Sequence, residues 1–518
     1  MKDIEKNYNH VTRQYNDEVY IDVPSSDFKA ACLDLHTRLK SPVMTMFAID
    51  DRPRAGSFMI VCGFLSVEDR QWVFVRQTVP PEKPSFDSLA RDIYSACLFE
   101  RQILESFGIM PVNNPDTRRL HLHDEIWPDN SFPLRKDFTI APEVGKRTDK
   151  NYVFRKIEGE GICEVAVGPV HAGVIGSGHF RFSVAGEPVI SLEPRLGFTH
   201  RGVEKLFEGK TPEEAMKLSS NISGKSAVAH RMAFCRAIEK ICALNVSLDA
   251  QYSRCVFLEL ERLYNHIGTI GALALDAAFS FPASYAALMK ESILSVNEQL
   301  TGSRYLKDAI VIGGVAELVG IHQYEPVREL LSCLEQDMET LREMLFSNGS
   351  FLDRIETTGV LSRRIAEDVG IVGLVARSSG LGWDLRAVFP DQYAGLSIKP
   401  AYQSAGDVAA RLIARFDECK SSMDSIKQCL EKMDGAGTKL NPVFIPQAGN
   451  ALGVVEGARG PVLYWVRTHA DGSIDRCAIT DPSFHNWIGL PYVMPGNIIP
   501  DFPLCNKSFD LSYAGNDL

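Results

Sequence analysis

The sequence predicts an α+β protein: a small N-terminal α+β domain, then a large, mainly helical domain with β-rich segments before and after its helices. Three observations predict it. At 518 residues the chain exceeds what one hydrophobic core usually organises. Its first part mixes short β-like runs with a helical stretch, and its middle carries long apolar patterns of helical period.

In the small domain, residues 58–64 and 71–78 read as strands and 89–107 as a helix. Residues 113–150 are rich in Pro, Asp, Asn and Arg with little apolar periodicity, which reads as an extended connector. The boundary is placed near 145, giving units 1–145 and 146–518. From 165 to 193, short strand-like segments surround glycine turns. Beyond Thr211 the pattern turns helical, with Pro212 suited to a first turn and acids following it. Apolar residues at three- and four-residue intervals predict helices over 227–244, 248–274, 284–302, 327–346 and 406–433. Residues 451–466 alternate glycines with Val, Leu, Tyr and Trp as in a hairpin, and a tail rich in Pro and Gly follows.

Composition excludes several classes. Hydrophobic residues make up 45% and charged residues 23%, as in a folded protein. Acidic residues number 66 against 55 basic, a net charge of -11, which argues against nucleic acid as a partner. The apolar stretch 309–321 is cut by glycines and Glu317, short of the roughly 20 residues that cross a bilayer. Residues 1–9 mix acid and base with no apolar run after them, so the expectation is no secretory signal and a cytoplasmic location. The 12 cysteines are scattered singly, with no CxxC pair, and are expected to be reduced core thiols; Cys235 and Cys242, two helical turns apart, are read the same way. Gly173, Gly176 and Gly178 follow the order G-x-x-G-x-G with no strand-to-helix unit around them, which argues against a dinucleotide loop.

The motifs point to a family. Glu100-Arg101 through Phe107-Gly108, Asp116 to Leu120 with Arg118 and Arg119, and Pro133 to Phe138 resemble the 30-kDa subunit of complex I, where this string ends the domain and docks it on its partners. Gly168-Pro169-Val170-His171 to Gly178-His179-Phe180, then Gly197 to Lys205 (GFTHRGVEK), are similar to the 49-kDa subunit of complex I and to membrane-bound nickel-iron hydrogenase large subunits. Further matches are Leu258 to Gly268 (LELERLYNHIG), Gly313 to Val315, Ala376 to Gly380 with Trp383-Asp384, Gly406-Asp407 with Arg411, and Val455 to Gly457 with Arg459-Gly460. The resemblance covers nearly the whole chain. Fusion of the two units, with the eight-residue step from His171 to His179, resembles the hydrogenase-4 and formate hydrogenlyase-type large subunits.

Relatives of that type hold nickel and iron on four thiolates from two CxxC pairs, because soft anionic sulfur binds nickel and bridges it to iron. Before the Ala229-His230 helix the resemblance places the first pair on Ser223 and Ser226, with Lys225 between them. It places the second on Ser512 and Gly515, the string at Asp481-Pro482 being a decoy. A nickel-iron centre is therefore expected to be absent, and hydrogenase activity with it. An extension of the kind that maturation proteases remove is not expected beyond Leu518.

The resemblance implies a large subunit of a membrane-bound, complex I-related energy-converting oxidoreductase, sitting on the cytoplasmic face of the membrane. Its expected partners are a small iron-sulfur subunit, a ferredoxin-like subunit and membrane-arm subunits including antiporter-like pumps, with the iron-sulfur clusters on those partners. Quinone is the candidate ligand: His171 or His179 supplies one anchor, while the position of the second, a tyrosine, falls on Gly224. His171, His179, Glu204 and Lys225 are the candidate catalytic residues, with Ser223, Ser226 and Ser512 lining the former metal cavity. Glu204 matches a position tied to proton transfer in relatives, with a salt bridge to Arg201 or another arginine as its structural alternative. The rival reading is a scaffold joining peripheral and membrane arms, which polar residues filling the cavity with satisfied hydrogen bonds would favour.

Overall fold

The computed structural model describes residues 8, 10–140, 144–172, 175–316, 321–393, 395–433 and 447–518. Gly173, Glu317, most of the segment 1–9 and residues 141–143 beside the expected boundary lie outside the described residues.

The N-terminal unit is a five-stranded sheet in the order β1-β2-β5-β4-β3, made of β1 (Val11–Tyr15), β2 (Glu18–Asp22), β3 (Thr45–Asp51), β4 (Ser57–Ser66) and β5 (Gln71–Val79). All pairs are antiparallel except β2 with β5. Helices α1 (Phe28–Leu39) and α2 (Cys97–Phe107) pack their apolar faces on it. The helix read over 89–107 starts only at Cys97. The buried carboxylate of Glu100 captures the Ser88 hydroxyl and the Leu89 amide, both at 2.6 Å, and Ile93 is not helical, so the segment before 94 folds back on α2 instead of extending it.

The large unit opens with an antiparallel sheet of β6 (Ile162–Val167), β7 (His179–Ala185) and β8 (Val189–Arg195), followed by the short helix α3 (Val203–Phe207). Five long helices then form the bundle: α4 (Ala227–Ile241), α5 (Leu248–Asp276), α6 (Ser280–Thr301), α7 (Glu325–Phe346) and α8 (Val408–Lys432). They match the five segments that periodicity predicts. Helix α5 is central, buried through most of its length between α6 and α8. The expected hairpin is β9 (Gly449–Glu456) with β10 (Pro461–Thr468), and a third strand, β11 (Ile474–Thr480), extends it. Helices α9 (Pro482–Asn486), α10 (Phe502–Phe509) and α11 (Tyr513–Asp517) occupy the tail. Gly453 on β9 is required where α4 crosses: a Cβ there would run into the Ala233 carbonyl.

The two units share a core. Tyr20, Phe47, Trp72 and Phe74 of the first sheet pack with Leu452, Val454, Leu463 and Trp465 of β9 and β10, and the Trp465 indole donates to the Tyr20 hydroxyl at 3.0 Å. The arginine-rich segment, expected to dock on partners, also makes ion pairs within the chain. Arg118 pairs with Asp116 and with Glu193 of β8, both at 2.6 Å, and Lys136 lies 3.0 Å from Glu208 and 3.1 Å from Asp475.

Candidate functional site

Helix α4 begins immediately after the Ser223–Ser226 loop, and its first free amides need acceptors. Glu261 on α5 takes two of them, Val228 at 2.7 Å and Ala229 at 3.1 Å. Burial pushes the Glu261 carboxyl up to about 7 against the pull of those amides and of Arg459. The preceding loop is fixed from the GFTHRGVEK motif: Arg201 donates to the carbonyls of Asn221 at 2.9 Å and Ile222 at 2.8 Å.

The tail reaches this loop from the other side. Ser512 caps α11, accepting from the Gly515 amide at 2.9 Å, and its own amide donates to Ser483 Oγ at 2.9 Å. Helix α11 is anchored below by Asp517, which accepts from the Gly197 amide at 3.0 Å and from the Thr199 amide and hydroxyl at 2.9 and 2.7 Å.

The structure brings Ser223 and Ser512, 289 residues apart, into hydrogen bond: their hydroxyls lie 3.0 Å from each other. Ser226 accepts from Arg459 Nη1 at 2.8 Å, and Lys225 Nζ bridges to Asp510 at 3.1 Å with its side chain 53% exposed. Arg459 also donates to the Asp510 carbonyl and lies 3.2 Å from its carboxylate. Despite burial, Arg459, Lys225 and Arg415 hold the Asp510 carboxyl well below the usual range. Gly515 is more than a missing ligand, because a Cβ there would sit 2.5 Å from an Asp481 carboxylate oxygen. Asp481 in turn joins a buried line, with His230 Nε2 at 3.0 Å and the Tyr464 hydroxyl 3.0 Å from His230 Nδ1.

The two histidines of the glycine loop sit together beside this pocket. His171 Nε2 is 2.8 Å from the Gly178 carbonyl, His179 Nδ1 is 3.3 Å from the Gly168 carbonyl, and Gly176 and Gly178 pack against Tyr513, next to Ser512. Burial lowers the His179 pKa, and its Nε2 is buried with no hydrogen-bond partner. Glu204 bonds elsewhere: it accepts from Arg476 at 3.0 Å and from the Ile479 amide at 2.8 Å, so its salt-bridge partner is Arg476 while Arg201 serves carbonyls.

Sequence reasoning missed Asp510 and Asp481 as parts of the pocket. Their signal was adjacency: Asp510 stands two residues before Ser512, and Asp481 opens the string set aside as a decoy. A cavity of about 380 Å³ opens at the seam of α2, β8 and the segment 484–495, lined by Arg101, Arg118, Arg155, Tyr152 and Trp487. Its lining includes none of the seven candidate site residues. Among the described residues, no three or more His, Cys, Asp or Glu side chains are grouped to hold a metal ion, and no helix is long and apolar enough to cross a membrane.

Likeness to known proteins gives the class of this sheet unit fused to a helical large unit: a large subunit of the complex I and hydrogenase kind. The respiratory-chain NADH dehydrogenase 30 Kd subunit profile matches residues 21–144 and the 49 Kd subunit profile residues 276–446. The chain is 30% identical to formate hydrogenlyase subunit 5 of Escherichia coli strain K12, over 91% of this chain and 84% of that one. It is 29% identical to hydrogenase-4 component G of the same strain (91% and 83%) and 28% identical to NADH-quinone oxidoreductase subunit 4 of Thermus thermophilus (67% and 92%). The chain belongs to this family of fused 30-kDa and 49-kDa complex I-related oxidoreductase subunits.

Proposed function

We infer that the chain is a large subunit, without a nickel-iron centre, of a membrane-bound, complex I-related energy-converting oxidoreductase, and that it joins the electron-carrying arm to the membrane arm as a coupling scaffold. Residues 1–145 and 146–518 act as its two units, and its partners are a small iron-sulfur subunit, a ferredoxin-like subunit and antiporter-like membrane subunits on the cytoplasmic face. The Ser223–Ser512 hydrogen bond carries this reading. Hydroxyls are hard and neutral, unlike the thiolates nickel and iron require, and here they are engaged with each other, with Arg459 and with a helix cap. A donor set of three serines and a glycine does not fit that centre. Polar groups that satisfy one another leave the position structural.

His179 favours a second reading. A buried imidazole nitrogen without a partner suits the carbonyl or hydroxyl oxygen of a quinone or similar acceptor, and the Lys225 ammonium of the serine loop is reachable from solvent. The deciding experiment is electron transfer from the reduced iron-sulfur partner to a soluble quinone analogue in the intact complex, for wild type, His179→Ala and Lys225→Ala. Unchanged rates, or none in any form, support the scaffold. Loss of transfer in the variants, with the complex still assembled, replaces it with the acceptor site.

A further inference from the structure

Several motifs scattered over 200 residues of sequence meet in one buried cluster. Glu259 and Arg262 come from α5, Arg377 from the helix Gly373–Ser378, Asp384 and Arg386 from the cap and first turn of Leu385–Val388, Glu418 from α8, and Glu456 from the end of β9. Every one of these side chains is 2% exposed or less. Their ion pairs close on themselves: among the described residues none pairs with a charge outside the set. The set holds four carboxylates and three guanidiniums. A leftover negative charge sealed in the core costs several kcal/mol, and a buried carboxyl avoids that cost by keeping its proton.

Geometry identifies the carboxyl. Glu418 is met by three guanidiniums, Arg262, Arg377 at 2.7 Å and Arg386 at 2.8 Å. Asp384 is held by a two-pronged Arg386 at 2.8 and 3.0 Å, with Arg377 at 3.7 Å. Glu259 receives both Arg386 and Arg262 and a Ser422 hydroxyl at 2.6 Å. Glu456 has one guanidinium contact, Arg377 at 3.1 Å, and one long backbone bond, from Leu385 at 3.3 Å.

We propose that Glu456 is a proton-binding site, carrying one exchangeable proton that it releases to and regains from water as an otherwise balanced buried network gains or loses a negative charge. The O–H bond at Glu456 breaks, the carboxylate keeps the electron pair, and the contact with Arg377 tightens. Burial and Asp384 push this carboxyl up while Arg377, Arg262 and Arg386 pull it down, leaving it at about 7. The other groups around it are Glu418 of α8, Tyr393, whose hydroxyl accepts from the Glu456 amide at 2.8 Å, Tyr402, and Arg236 of α4, stacked over the Tyr393 ring.

The turn that follows Glu456 touches both the network and the serine pocket. Arg262 donates to the carbonyls of Glu456 at 3.3 Å and Gly457 at 2.6 Å, and the same turn carries Arg459, which holds Ser226 and Asp510. The network's ion pairs are the same under either reading of the pocket.

The test is infrared difference spectroscopy of the full-length chain taken from about pH 5 to about pH 9, following the carbonyl stretch of protonated carboxyls. Wild type is expected to lose carboxylic-acid absorbance across neutrality. Glu456→Gln, which imitates the protonated form, folds as well as wild type and lacks one component of that loss. Glu261→Gln, removing the other carboxyl raised to about 7, leaves the Glu456 component in place. Glu418→Gln, which removes a countered charge, lowers the denaturation midpoint clearly. An unchanged spectrum in Glu456→Gln, or a variant as unstable as Glu418→Gln, overturns the proposal.

Discussion

The serine pocket, at the start of α4 and the cap of α11, and the seven-residue ionic network, built on α5, α8 and β9, solve the problem of buried polarity in opposite ways. In the pocket, neutral hydroxyls bond one another and a helix cap, and its one lysine reaches solvent. In the network, each charge depends on a sealed countercharge. Neutral groups lose little when a partner goes, whereas a buried charge left alone retains its whole desolvation cost. The pocket's serines and its exposed lysine should therefore tolerate substitution, while the network, like the buried Arg459–Asp510 pair, should not.

The largest effect belongs to the network. Glu418→Ala removes the carboxylate that Arg262, Arg377 and Arg386 share and leaves each with fewer countercharges, which should cost about 3–5 kcal/mol in denaturant unfolding. A loss under about 1 kcal/mol would break the comparison.

The small unit offers an independent charge pair that sharpens it. Burial pushes the Glu105 carboxyl up, but His121 at 3.1 Å and the Leu120 amide at 2.8 Å outweigh it and hold the group at about 2 rather than 4.5. While His121 keeps its proton, this contribution, roughly 3 kcal/mol, is fully present above about pH 4.5 and disappears as pH falls through about 2. Glu105→Gln should flatten the stability-against-pH curve over that acid window, and an unchanged curve would contradict the pairing.

In the pocket the effects shrink. Ser512→Ala removes a cap and should cost about 0.5–2 kcal/mol, and Ser223→Ala about 0.5–1.5 kcal/mol. Because the two hydroxyls bond each other, the double variant should lose less than the sum of the singles. Lys225→Ala, breaking a half-exposed bridge, should change stability by about 0–1 kcal/mol.

The long helices were legible because each is amphipathic over many turns, and the hairpin because its glycines and β-formers alternate. What escaped depends on contacts distant in sequence. Strand β11 carries Asp475 and Arg476 at positions that look exposed, and they are buried because Arg467, Lys136 and Glu204 neutralise them. The start of α2 was misplaced because the buried Glu100 carboxylate binds both the Ser88 hydroxyl and the Leu89 amide, which turns the segment before 94 back onto α2. At the site, the meeting of Ser223 with Ser512 was readable through family resemblance, since each stands at an expected ligand position. The roles of Asp510, Asp481 and Glu261 were not, because a carboxylate shows its partners only once the tail folds back over α4. The unmatched carboxylate likewise emerges only when charges from distant segments are brought to one place.

The most direct test of the account is the nickel content, by elemental analysis, of the intact complex purified with this chain. The account predicts nickel far below one atom per chain, with the iron assigned to the clusters of the partner subunits. Nickel at one atom per chain would contradict it, because the serines would then have to be rearranged around a metal their hydrogen bonds exclude.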